Sequence, residues 1–253
     1  MFDPFDYPLL ILFATLVIFS ASAWLGFKLH RRRPADEEKS DDDFTFVLGG
    51  TLTLLGLLIG FTFSMAVGRY DQRKNLEEEE ANAIGTEYAR LDLLPEADGA
   101  NVRELMRRYL AQRLLFYTSR DGQQLRQIDE EAARLQAQMW SVVAKHASAK
   151  PNEITALVVK GMNDVLNAQG YTQAAYWNRI PGAAWLLLIT ISIFCNILIG
   201  YRAHAKRVSP FLVLPIALSI TLFLIADIEA PRGGLILIHP QNLASTAELL
   251  HAR

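Results

Sequence analysis

An all-α membrane protein, with four transmembrane helices and an extramembrane helical bundle between the second and third, is the fold class this sequence predicts. Three observations carry it. Of 253 residues, 51% are hydrophobic while 21% are charged, a mixture that asks for separate membrane-facing and water-facing parts. Four segments stay apolar over the roughly 20 residues a helix needs to cross a hydrocarbon core of about 30 Å. Between the second and third of them, apolar residues recur at helical spacing and are interrupted by turn residues. The expected divisions are 1–68 for transmembrane helices 1 and 2, 69–180 for the bundle, 181–230 for transmembrane helices 3 and 4, and 231–253 for a C-terminal segment.

The first span is "PLLILFATLVIFSASAWLGF", Pro8 to Phe27. Asp3 and Asp6 precede it and "KLHRRR" follows, the reverse of the charge order in a signal peptide, so it reads as a retained anchor. "DEEKSDDD" then serves as a short polar connector. The second span runs from Phe44 to Val67 and passes into "YDQRKNLEEEEANAIGTEYARLDLL" with no breaker before Pro95, so one helix continues from membrane into water. A helix from Asn101 to Tyr117 sets Val102, Leu105, Met106, Tyr109 and Leu110 on one side. The next carries Leu125, Ile128, Ala132, Leu135, Met139 and Val142 in a near-heptad stripe, between breaks at Asp121–Gly122 and Pro151. Asn152 reads as the N-cap of a further helix, with Glu153 behind it and Ile154, Leu157, Val158, Met162 and Val165 as its buried face. Tyr176 and Trp177 suit a membrane interface before the third span, Gly182 to Tyr201. The fourth span covers Pro210 to Ile228, with a bend expected at Pro215.

Basic residues near span ends bear on orientation. Lys28, Arg31, Arg32, Arg33, Lys39, Arg202, Lys206 and Arg207 lie on the side of the two short loops; Arg69, Arg73, Lys74, Arg179 and Arg232 lie on the other. Eight against five favours both termini and the helical block outside the cytoplasm.

A net charge of −2 gives no argument for a nucleic-acid partner. The five histidines lack metal-ligand spacing, and the single Cys195 sits in an apolar run as a small hydrophobe. No phosphate loop, nucleophile elbow or zinc helix motif occurs, so neither an enzyme nor a cofactor is expected.

Function is sought instead in the second span. At 100° per residue, Gly49, Thr53, Gly56, Gly60 and Ser64 fall within an arc of about 80°. Such small residues let helices approach closely in lipid, or line a pore at the centre of an oligomer. Beyond them Arg69, Asp71, Arg73 and Lys74 lead into Glu77, Glu78, Glu79 and Glu80. These form either a solvated face with pairs such as Arg73–Glu77 and Lys74–Glu78, or rings of pore-mouth charge in a symmetric assembly. "DIEAPRGGLILIHP" after the fourth span reads as a structural clasp, whose "LILIH" could pair as a short strand or pack on the bundle. Asn196 is expected to hydrogen-bond between helices.

"EEANAIGTEYARLDLLP", "LDLLPEADGANVRELMRRYLAQRL", "RIPGAAWLLL" and "DIEAPRGGLI" together resemble a bestrophin-like family of bacterial integral membrane proteins. "IGFTFSMAVGRYDQ" is in turn similar to the bestrophin stretch in which a Gly-Phe of the second span precedes an Arg-aromatic pair, and "IEAPRGG" to the segment after the bestrophin fourth span. The resemblance implies a bestrophin-like arrangement: a homo-oligomer, a pentamer, whose second helix surrounds a path for small inorganic ions, with chloride-like anions as cargo. It places Thr53, Leu57 and Phe61 at the pore-lining neck and sets the protein in the lipid bilayer of the bacterial inner membrane. Three departures stand out, the first being the neck itself, which has Thr53, Leu57 and Phe61 rather than a fully bulky apolar ring. The acidic cluster of the bestrophin calcium clasp is replaced by "LILIHPQ", so calcium gating does not carry over. Bestrophins also keep their helical block in the cytoplasm, opposite to the basic-residue count. A membrane-anchored sensor or scaffold, whose bundle binds a partner, is the alternative reading.

Overall fold

The computed structural model describes residues 6–31, 41–202 and 209–252. Asp3, residues 36–40 of the acidic connector, and the basic residues Arg32, Arg33, Lys39, Lys206 and Arg207 lie outside them. Among the described residues every regular element is a helix and there is no strand: α1 (Pro8–His30), α2 (Asp41–Arg90), α3 (Glu96–Thr118), α4 (Gly122–Ala149), α5 (Glu153–Trp177), α6 (Gly182–Arg202), α7 (Ser209–Glu229) and α8 (Gln241–Ala252). A 3-10 turn at Leu91–Leu93 ends α2. Four helical stretches are long and apolar enough to cross a membrane, as the sequence predicts. The chain divides into two compact units: Met1–Arg69 with Arg179–Ile236, and Tyr70–Asn178 with Leu237–Arg253.

In the first unit α1 packs against α6 and α7. α1 and α6 approach closely at two glycines: a Cβ on Gly200 would strike the backbone of Ala23, and one on Gly26 would strike the Ile197 carbonyl and the Tyr201 nitrogen. Absence of side chains lets these backbones meet, the usual device for helix association where lipid offers no hydrophobic drive. Asn196 differs from expectation. Its Nδ2 donates to the Ser192 carbonyl one turn back, within α6 rather than between helices. α7 continues through Pro215 as one helix.

The second unit has a conventional apolar core. Ile84 and Leu91 meet Val102, Met106, Tyr109 and Leu110 of α3, the Ile128–Ala132–Leu135–Met139–Val143 stripe of α4, and Val158, Met162 and Val165 of α5. The α4 and α5 starts follow their sequence signals: Asp121 accepts from the Gln123 and Gln124 amides, and Asn152 forms a capping box with Thr155. Other expectations shift. Ile154 and Leu157, in the first turns of α5, are exposed, although they share a helical arc with the buried Gly161, Val165, Ala168 and Thr172 further along. Tyr176 packs edge-on against Phe116 and Tyr117 instead of marking an interface, whereas Trp177 is exposed. The C-terminal segment contains α8, which the sequence reading left without an element.

Candidate functional site

α2 carries every residue singled out for a pore. In its membrane half Leu55, Thr62 and Ala66 are buried. At 100° per residue this face points roughly 150° away from both the small-residue stripe and the Thr53–Leu57–Phe61 face. Leu57 is 54% and Phe61 63% exposed, and Thr53 is exposed with its hydroxyl donating back to the Gly49 carbonyl at 2.9 Å. A Cβ on Gly49, Gly56 or Gly60 would meet nothing within 4 Å, and Ser64 is exposed. The chain's own close helix packing therefore falls on Gly26 and Gly200, and the α2 stripe is open. Only 6% of the most apolar 18-residue stretch of α2 is buried, against 33% in α1, 44% in α7 and 28% in the stretch that includes α6. Of the four spans, α2 is covered least by its own chain.

The charges beyond the span are not a uniformly solvated face. Arg69 sits 3.6 Å from the buried Glu229 carboxylate at the end of α7, which also accepts the Ile180 amide at 2.6 Å. Asp71, Lys74, Glu78 and Glu79 are exposed. Arg73 is buried and donates from Nε to the Ala175 carbonyl at 3.4 Å, so within its unit it is a structural group rather than an exposed mouth charge. Glu77 and Glu80 are buried as well. The Glu77 carboxylate accepts the Leu243 amide at 2.9 Å and Asn242 Nδ2 at 2.7 Å, capping the start of α8. At the far end of α8, the Leu250 carbonyl accepts from Tyr88 and Arg107, so α8 is fastened at both ends.

Glu80 anchors the most enclosed polar cluster described. Its carboxylate takes a bidentate pair from the Arg113 guanidinium, with Nη2 to Oε2 at 3.2 Å, and neither side chain is exposed. Thr172 Oγ1 and the Tyr117 hydroxyl donate to the same Oε2 at 3.2 and 3.4 Å, and Arg113 stacks on Phe116 at 4.3 Å. Burial, and then the Glu80 charge, push the Tyr117 phenol above its ordinary range, keeping it a donor. Sequence reading missed this cluster, although a signal existed: Arg73, Glu77 and Glu80 share a helical arc with Ile84 and Leu91.

The segment after α7 is a clasp, and "LILIH" is no strand. Asp227 is buried and its carboxylate accepts the Leu235 and Ile236 amides at 2.6 and 2.8 Å. Gly234 lies so close that a Cβ there would come within 2.5 Å of the Asp227 carbonyl, which explains the glycine. Ile238 belongs to the core of the second unit.

A family model described as bestrophin-like domain matches residues 13–243. Among solved structures, a bacterial bestrophin homologue from Klebsiella pneumoniae aligns at TM-score 0.68 and 14% identity, over 96% of this chain and 97% of that one. A single-substitution variant of the same homologue aligns at 0.67 and 14% identity, over 97% and 98% of the two chains. At such identity the likeness is one of fold. No functionally curated protein matches the sequence.

Proposed function

This chain belongs to the bestrophin-like family, and on that premise we propose that it is a homo-oligomeric ion channel, a pentamer in the bacterial inner membrane, with α2 lining the pore. The observation that carries the reading is the uncovered α2. With 6% of its apolar stretch buried, it faces away from its own chain along the small-residue stripe and along Thr53, Leu57 and Phe61. A helix of that composition exposed only to lipid would gain nothing from glycines, which favour close approach of a neighbouring helix. In a ring of copies, Gly49, Gly56, Gly60 and Ser64 would form the contact between subunits, and Thr53, Leu57 and Phe61 would face the axis. Leu57 and Phe61 would then make an apolar constriction that gates by dewetting. Small anions are the proposed cargo. Of the three candidate mouth charges, Asp71 is exposed, Arg69 is mostly buried beside Glu229, and Arg73 is buried in its own unit. The activity is conduction, and no catalytic step is assigned to any residue.

Purified full-length protein in a planar lipid bilayer tests this. Anion current from the wild type is expected, with a larger open probability for Phe61→Ala because the apolar ring is relieved. Silence from the wild type, with Phe61→Ala equally silent, would contradict the reading.

A further inference from the structure

Glu87 is a buried acid on the extramembrane half of α2 that neither the Glu80 cluster nor the α8 fastening uses. It is fully enclosed, and neither carboxyl oxygen has a hydrogen-bond partner among the described residues. The carboxyl lies against Gly161 of α5, where a Cβ would run into Glu87 Oε2 and Arg90 Nη1. A carboxylate at such a contact is costly, because its negative charge has lost water without gaining donors.

The charges facing it are few. On α2, Arg90 Nη1 stands 3.8 Å from Oε2, beyond hydrogen-bond range. On α5, Asp164 contributes a like charge, while Lys160, the other charge of that stretch, is exposed. The 3-10 turn also packs on α5, and its Asp92 is engaged by Arg103.

We propose that Glu87 is a proton-binding site of the helical unit: its neutral carboxyl fastens α2 to α5 at Gly161, and loss of the proton to water loosens that contact. Because α2 runs unbroken from residue 41 to 90, the ion path it lines becomes sensitive to pH. This consequence rests on the channel reading; the proton site does not.

Burial pushes the Glu87 carboxyl up from about 4.5 to about 8, with Arg90 opposing and Asp164 assisting. The sign follows from proton counts. Between those values the folded chain holds a proton that the unfolded chain has released, so stability falls as pH rises through that interval. Below it both states hold the proton and the group adds no pH dependence; above it the full cost of a buried charge is present.

Infrared pH-difference spectroscopy on the full-length protein in lipid nanodiscs tests the site. The expected result is a protonated-carboxyl band at neutral pH that disappears in one step centred near pH 8 and is missing from Glu87→Gln. Asp164→Asn should move the step to lower pH and Arg90→Gln to higher pH. These two variants and the wild-type titration decide the matter even where Glu87→Gln folds poorly. Spectra from wild type and Glu87→Gln that coincide, or a step that ignores both neighbours, would overturn the proposal. If the band behaves as expected but the bilayer shows no current, the proton site is supported and the channel reading alone fails. A pH step in current that survives Glu87→Gln overturns the link to the ion path.

Discussion

Replacing Arg113 with methionine should destabilise the helical unit by about 3–5 kcal/mol, the usual result of leaving one partner of a buried ion pair alone. The remaining Glu80 would be a fully buried carboxylate with only Thr172 and Tyr117 as donors. Glu80→Leu alone should cost a similar amount, because it strands an enclosed guanidinium. The double substitution should recover most of the loss, since two apolar groups of comparable volume carry no unmet hydrogen-bonding demand. Thermal unfolding of the full-length chain in detergent, read across the four members of this cycle, measures the coupling. Additive losses would show that the pair contributes little and that the neighbouring core sets the stability.

Gly200→Leu should destabilise the membrane unit, at the upper end of the roughly 1–3 kcal/mol typical of overpacked interiors. The atoms a side chain would strike belong to the Ala23 backbone, which cannot rotate aside as a flexible side-chain tip would. The reciprocal Gly26→Leu meets the Ile197 carbonyl and should behave alike. Gly56→Leu on α2 is the informative contrast. With nothing within 4 Å in its own chain, it should leave the single chain intact and disturb only association between copies. Unfolding midpoint and native mass, measured on the same samples, separate the two effects.

These contrasts show where the sequence was legible. Spans emerge from composition because lipid imposes length and apolarity locally. The α4 stripe and the Asn152 cap are likewise local signals, complete within a turn or two. For Glu80 only burial was local, through the arc it shares with Ile84 and Leu91; its partner Arg113 lies 33 residues on. Glu77 was harder still, since Asn242 is 165 residues away. Ile154 and Leu157 fall on the buried arc of α5 yet are exposed in its first turns, so neither apolar character nor helical register foretells their exposure. For the pore candidates, periodicity separated the two faces of α2. The chain adds that both are uncovered, while Leu55, Thr62 and Ala66 take the buried side.

Cysteine accessibility is the most direct measurement of whether α2 lines an ion path. Cys195 is the chain's single cysteine and is fully buried, so water-soluble thiol reagents are left to introduced positions. In lipid bilayers, current through Phe61→Cys and Leu57→Cys should fall on reagent addition, while Val213→Cys, exposed on the apolar α7, should be indifferent. Unaltered current at positions 57 and 61, with block at 213, would place the path elsewhere and contradict the assignment of α2.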